Sequence, residues 1–284
     1  MTLALIMVGL PARGKTYTAR KIARYLSWLG SKTKVFNVGN YRRELSGASV
    51  PHHFFDPKNQ VGLAARRQAA EAALGDMLQW FDQGGEIGIF DATNSTMERR
   101  RWLLQQFDDS GIEVAMIESL CDDDSIVDAN IQSTKLGSPD YVGVEIEDAT
   151  EDFRSRIAHY VKAYQPLQEE NVPWIKIIDA GRQVVLNKLE GPLLMRVGYF
   201  LMHLNLLPNP IWLSRHGQSI FNTQDRVGGD SSLSPNGRLY AQSLADFMQD
   251  QPFPEIWTST LQRTIQTAAR VGRPIRRWKL LDER

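Results

Sequence analysis

Leu3-Ala4-Leu5-Ile6-Met7-Val8-Gly9-Leu10-Pro11-Ala12-Arg13-Gly14-Lys15-Thr16 opens the chain and decides how the rest is read. The apolar run Leu3–Val8 is a short buried strand, and Gly9–Thr16 fills every fixed position of G-x-x-x-x-G-K-[ST]. A helix is predicted over Thr16–Leu29, with Ala19, Ile22, Ala23, Leu26 and Leu29 on one face, and Gly30-Ser31 stops it. Strand, glycine loop and helix in this order let successive amides point inward as an anion nest at a helix start. Gly9, Ala12, Arg13 and Gly14 wrap the phosphates of ATP, Lys15 reaches the β- and γ-phosphates, and the Thr16 hydroxyl ligates Mg2+. The bland alternative, a chance glycine turn, requires strand and helix to fall in register by accident.

Further strands are predicted at Lys34–Val38, Ile87–Phe90, Val114–Ser119 and Trp174–Ile178, separated by helical stretches. Short, unalternating strands between helices give an α/β fold, a parallel sheet covered by helices on both faces. Asp91 ends the Ile87–Phe90 strand, where a carboxylate faces the ligand crevice of such a sheet. There it holds magnesium or orients an acceptor hydroxyl; capping the next helix is the structural alternative. A helix over Gly191–Leu204 closes this half. Leu207-Pro208-Asn209-Pro210 is a break that places a boundary near residue 208, dividing the chain into 1–207 and 208–284. A new strand, Ile211–Ser214, is expected to follow and to end in Arg215-His216-Gly217.

Composition narrows the partners. Lysine plus arginine equals aspartate plus glutamate at 33 each in 284 residues, so no global basic field asks for nucleic acid or a membrane surface. An anion site must therefore be local. The single cysteine, Cys121, excludes an intramolecular disulfide and fits a reducing, cytoplasmic setting. No apolar run reaches the roughly 20 residues of a membrane span.

Arginines cluster after strand ends and in early helix turns: Arg42 and Arg43, Arg66 and Arg67, then Arg99, Arg100 and Arg101. Guanidinium forks bond phosphate in two places with fixed charge. Each cluster alone reads as solvated surface, whereas several at separate crevice edges point to an anionic substrate. From spacing alone, the chain is a kinase for a small anionic acceptor.

Five strings go further: Val8–Thr16, Phe36–Glu44, Phe90–Asn94, Lys135–Tyr141 and Ala149–Phe153. They resemble the 6-phosphofructo-2-kinase/fructose-2,6-bisphosphatase family, and the resemblance runs nearly the whole length. It implies that Arg42, Arg66, Thr93, Arg99, Lys135, Arg156 and Tyr160 bind fructose 6-phosphate. Asp91 then lies near the sugar's 2-hydroxyl, and Asn130 and Cys121 line the ATP site. Lys15, Asp91 and Lys135 are the catalytic set so implied, with Thr16 and Asp91 at the metal. Met97 stands where animal members carry an arginine, which leaves Arg99 the more secure phosphate ligand. No residue presents itself as a strong general base, and phosphoryl transfer needs mainly positioning and charge stabilisation.

In the second half, Leu213–Ser219 resembles the histidine-phosphatase signature, extended by Asn222, Arg226–Asp230, Thr258-Ser259 and Arg263–Ala268. The resemblance implies that His216 is the phosphoryl acceptor and that Arg215, Asn222 and Arg263 hold the phosphate. Gln218 replaces a glutamate common in that family. Glu283 falls where the family places its acid, and no histidine follows His216. An incomplete histidine-phosphatase-like α/β domain is therefore expected, cut part-way through and inactive, with an exposed sheet edge that leaves a homodimer open. Two other readings stay open for the chain: another small-molecule kinase of the same loop type, and a regulator that binds ATP or sugar phosphate without turnover.

Overall fold

The computed structural model describes residues 2–204 and 210–282, the side chains of residues 133–137 excepted. The chain divides into two compact units, residues 1–207 and 208–284. The break expected at Leu207-Pro208-Asn209-Pro210 lies, apart from Pro210, outside the described residues. Among the described residues no helix is long and apolar enough to cross a membrane.

The first unit runs β1 (Leu3–Val8), α1 (Lys15–Trp28), β2 (Thr33–Asn37), α2 (Val38–Ser46), α3 (Gln60–Asp82), β3 (Ile87–Asp91) and α4 (Met97–Asp109). It continues through β4 (Glu113–Leu120), α5 (Asp124–Gly137), α6 (Ile146–Ala163), β5 (Trp174–Ile178), β6 (Gln183–Asn187) and α7 (Gly191–His203). The strands form one sheet in the order β2-β3-β1-β4-β5-β6. The first five are parallel; β6 joins β5 antiparallel as the edge, a strand absent from the sequence reading.

Burial of both faces explains why β1 is apolar without alternation. Leu3, Leu5 and Met7 pack against Ala19, Ile22 and Leu26 of α1 and Leu194, Val197 and Leu201 of α7. Ala4, Ile6 and Val8 meet Ala73, Leu74 and Met77 of α3 and Leu103 and Phe107 of α4 on the other face. β2 ends one residue earlier than its apolar pattern suggested. The Asn37 side chain accepts the Asn40 amide and caps α2, so Val38 is already helical.

The second unit holds α8 (Pro235–Met248), β7 (Ile256–Thr258), α9 (Gln262–Ala268) and β8 (Ile275–Arg277), with β7 and β8 paired in parallel. The strand expected at Ile211–Ser214 does not form. Ile211 is 83% and Leu213 93% exposed, and β7 pairs with β8 rather than with this stretch. Without a neighbour to take its amides and carbonyls, an apolar stretch gains nothing by extending into a strand.

One buried acid braces the sheet of the first unit. Glu118 on β4 is fully buried; Oε1 accepts the Tyr164 hydroxyl and, at 2.9 Å, the Leu167 amide. Its Oε2 lies 3.3 Å from the Lys176 ammonium of β5. Removing one partner of a buried charge pair costs about 3–5 kcal/mol, because the other is left uncompensated. Glu118→Ala is expected to lower the unfolding free energy of the first unit by about that much, and Glu118→Gln by less. Urea unfolding followed by circular dichroism checks both.

Candidate active site

The site lies at the carboxyl ends of β1, β3 and β4. Gly9 takes φ +135°, and a Cβ there would stand 2.4 Å from the Ser119 carbonyl oxygen, so only glycine lets the loop leave β1 this close to β4. The Gly9 amide donates to the Thr93 carbonyl at 2.9 Å, tying the loop to the end of β3. Ala12 and Gly14 also have positive φ, 59° and 78°, and Gly14 is the N-cap of α1 with no side-chain cap. An uncapped helix start behind a curled loop is a cradle of backbone donors that suits a polyphosphate.

Lys15 lies inside that cradle, 8% exposed, donating from Nζ to the Leu10 carbonyl at 2.5 Å. Burial pushes its ammonium down to about 8; Asp91 opposes the shift, while Arg13 and Arg156 reinforce it. Asp91 is 2% exposed, and burial pushes its carboxyl up against hydrogen bonds from Thr16 and Asn37 and the charge of Lys15. The Asn37 amide donates to Asp91 Oδ2 at 2.6 Å. Asp91 does not cap the following helix; Thr96 does, through the Arg99 amide. The Thr16 hydroxyl and the Asp91 carboxylate are hard oxygen donors side by side, a set that fits magnesium.

On the β4 side, Asn130 of α5 donates to the Ala12 carbonyl at 2.9 Å, and Cys121 is buried in a small apolar cluster with Ala12 against it. The structure thus brings both residues to the loop. Arg13 stays local, donating to the Pro11 carbonyl at 3.4 Å.

The arginines separate by role. Arg67 is an exposed partner of Glu71 one turn along, and fully buried Arg100 pairs with Glu169 at 2.5 Å while donating to the Asn94, Gln165 and Pro166 carbonyls. Arg101 is exposed. These three are surface and structure. Arg66 lies 5.9 Å above the Tyr160 ring, and Arg99 donates to the Arg66 carbonyl at 3.2 Å. Arg156 sits 3.7 Å above the Phe55 ring, with Tyr160 5.9 Å beyond that ring. Its Nε is buried with no hydrogen-bond partner. Arg42 is buried, 5.8 Å over the same Phe55 ring. Five of the seven acceptor residues named from the sequence therefore gather around Phe55 and Tyr160, if Tyr160 itself is counted. Thr93 stays at the end of β3, and the Lys135 side chain lies outside the described residues.

Sequence reasoning missed Asp140, Asn37 and Phe55. Arg42 Nη2 donates to both Asp140 carboxylate oxygens, at 2.7 and 2.8 Å; Arg156 reaches the same carboxylate at 3.2 Å and Arg43 at 3.6 Å. Burial would raise this carboxyl, but Arg42, Arg156 and Arg43 hold it below the ordinary range. Asp140 stood within a quoted string beside the arginines' targets, yet nothing in spacing shows a contact across 98 positions.

In the second unit, Asn222 Oδ1 accepts the Ser219 amide at 2.9 Å, Arg263 donates to the Gly229 carbonyl at 2.8 Å and the Gly217 amide donates to Thr267 Oγ1 at 2.9 Å. His216 is partly buried with Nδ1 2.7 Å from the Gly217 carbonyl, whereas Arg215 is exposed. Glu283 lies outside the described residues.

A family model described as 6-phosphofructo-2-kinase matches residues 1–208, and one described as histidine phosphatase superfamily (branch 1) matches residues 211–284. The chain is 44% identical to human (Homo sapiens) 6-phosphofructo-2-kinase/fructose-2,6-bisphosphatase 4, over 98% of this chain and 61% of that protein. It is 46% identical to the human protein numbered 1, over 98% and 60%. To the chicken (Gallus gallus) protein of the same kind it is 44% identical, over 98% and 61%. The chain thus spans about 61% of the length of such relatives.

Because free Lys15 gives up its proton near pH 8, and a polyphosphate needs the ammonium, nucleotide affinity is expected to hold below pH 8 and fall above it. The fall approaches about tenfold per pH unit for one lost proton. Titration with a non-hydrolysable ATP analogue across this range checks the sign.

Proposed function

The chain belongs to the 6-phosphofructo-2-kinase family, and from that premise we propose that its first unit transfers the γ-phosphoryl group of MgATP to the 2-hydroxyl of fructose 6-phosphate. The observation that carries the reading is the set of arginines around Phe55 and Tyr160, Arg42 buried and Arg66, Arg99 and Arg156 half-buried, of which Arg156 is close enough to Lys15 to depress its proton affinity. A phosphate loop with a second, separate guanidinium pocket beside it suits a reaction between two phosphorylated molecules.

The chain's own residues divide the task. The loop amides from Gly9 to Gly14 and the Lys15 ammonium hold the nucleotide phosphates and offset charge on the bridging oxygen as the bond to γ-phosphorus breaks. Magnesium, when bound, neutralises charge on the β- and γ-phosphates, with Thr16 and Asp91 to hold it. Asn130 and Cys121 support the nucleotide side. Arg42, Arg66, Arg99, Arg156 and Tyr160, with Thr93 and Lys135, fix the sugar phosphate so that its 2-hydroxyl oxygen forms the new bond in line. Asp91, kept from ready solvation by burial, orients that hydroxyl. The lone buried cysteine fits a reducing cytoplasm.

The second unit is read more narrowly. His216, Asn222, Arg215 and Arg263 match a histidine-phosphatase phosphate site, but the segment leading to His216 is exposed and joins no strand among the described residues. A nucleophile must be held within fractions of an ångström by packed surroundings. Phosphate release from fructose 2,6-bisphosphate by this chain is expected to match that of a His216→Ala control.

Steady-state kinetics over a panel of sugar phosphates test the kinase reading. Fructose 6-phosphate is the expected acceptor, and Arg66→Ala or Arg99→Ala is expected to raise its KM by about tenfold or more, since a charge-assisted contact is worth 1.5 kcal/mol or above. The KM for ATP should change less than about twofold under the same argument. Equal effects on both substrates would remove these arginines from the acceptor site.

A further inference from the structure

Two histidines face each other where the 3₁₀ turn His52–Phe55 meets α6. His52 Nδ1 and His159 Nε2 are 3.1 Å apart, and the rings stack at 5.4 Å with 14° between their planes. His159 is partly buried; its buried Nδ1 has no hydrogen bond and lies 3.6 Å from Asp56 Oδ2. The remaining charges around the pair are few. From the turn and its exit come the His53 ring, edge-on to His52 at 6.1 Å, and Asp56 with nearby Lys58. From α6 come Asp152, whose Oδ1 accepts the His52 amide at 3.0 Å, then Arg156 and Lys162. Tyr141 donates to the other Asp152 oxygen at 2.8 Å, and Arg66 of α3 reaches the Asp56 carbonyl at 3.5 Å.

The same two elements carry the acceptor pocket. Phe55 supports Arg156, and Arg156 and Tyr160 flank His159 on α6. On its other side the turn packs closely on the start of α3, where a Cβ at Gly62 would stand 2.1 Å from the Phe54 carbonyl oxygen. The ring pair is one contact of the seam between that turn and the helix that presents Arg156 and Tyr160, beside the bond from the His52 amide to Asp152 and the Phe55 contacts.

We propose that His52 and His159 are positioning residues that close this seam at neutral pH and open it in acid, weakening the grip on the phosphorylated acceptor. The proposal rests on the acceptor reading above. A ring-to-ring hydrogen bond needs one nitrogen with a proton and one without. It survives with no net charge or with one shared proton. A second proton puts hydrogen on both facing nitrogens and like charges on both rings, so the rings must part. Imidazoles ordinarily gain their proton near about pH 6.5, within the physiological range.

His52→Gln and His159→Gln keep a side chain that can donate or accept but does not titrate there. KM for fructose 6-phosphate is measured in the full chain and in both variants between about pH 8 and pH 5.5, spanning the imidazole range. The sugar phosphate's own ionisation changes identically in all three proteins. On going to acid, KM is expected to rise about fivefold further in the wild type than in either variant, one coupled proton allowing up to tenfold per unit. The KM for ATP should show no such difference. A second readout needs no substrate: the 15N–15N scalar coupling across the ring-to-ring hydrogen bond is expected near neutral pH and lost in acid. Variants that follow the wild-type KM profile, or a coupling that is absent at neutral pH or persists in acid, would overturn the proposal. If fructose 6-phosphate is not turned over at all, the acceptor reading fails, and the scalar coupling alone decides whether the seam opens.

Discussion

Lys15 and Asp91 carry opposite charges into the interior of the first unit, 8% and 2% exposed. Either alone would cost several kcal/mol of desolvation or surrender its charge. Each is therefore surrounded. The loop folds back so that the Leu10 carbonyl meets Lys15, and Asn37 stands directly opposite Asp91 in the parallel register of β2 and β3. That register requires β2, β3 and β1 to be neighbours in this order, which the sheet supplies. The same demand makes Gly9 necessary, since the loop must pass within van der Waals range of the Ser119 carbonyl. The topology thus serves one buried electrostatic arrangement, with a helix start and an ammonium facing the same space.

A second buried arrangement lies beside the first. Arg42, Arg156 and Arg43 converge on the Asp140 carboxylate, an internal anion that holds the guanidinium groups in place. Removing one member of such a group leaves charge uncompensated. Phe55 then supports Arg42 and Arg156 from below, so the arginines are held by a carboxylate on one side and an aromatic face on another. The first unit therefore holds two groups of cationic side chains, each anchored by a carboxylate of its own.

Much of this was legible in the sequence for physical reasons. β1 announced itself because both its faces are buried, and the loop because few sequences place two glycines, a lysine and a threonine at that spacing. Asp91 followed from its place after a buried strand. What escaped was contact across long separations. Asn37 fell inside a predicted strand; it caps α2 instead, and its amide also serves Asp91. Arg100 and Arg67 could not be told from Arg99 and Arg66 by spacing, because the difference lies in Glu169 and Glu71, their partners in space. The apolar run at Ile211–Ser214 failed as a strand because pattern alone cannot supply a neighbouring strand. β6 was missed because its apolar run is only Val184-Val185-Leu186, and its residues are half-buried or exposed.

The central claim is that the arginine pocket delivers the 2-hydroxyl of fructose 6-phosphate to the nucleotide's terminal phosphate. Phosphorus NMR of the product formed from fructose 6-phosphate and MgATP tests it most directly, because it reports turnover and the position phosphorylated together. The account predicts a second phosphate on the anomeric carbon C2, released by mild acid while the 6-phosphate remains. A new phosphate on C1, or ATP hydrolysis with no phosphate gained by the sugar, would contradict it.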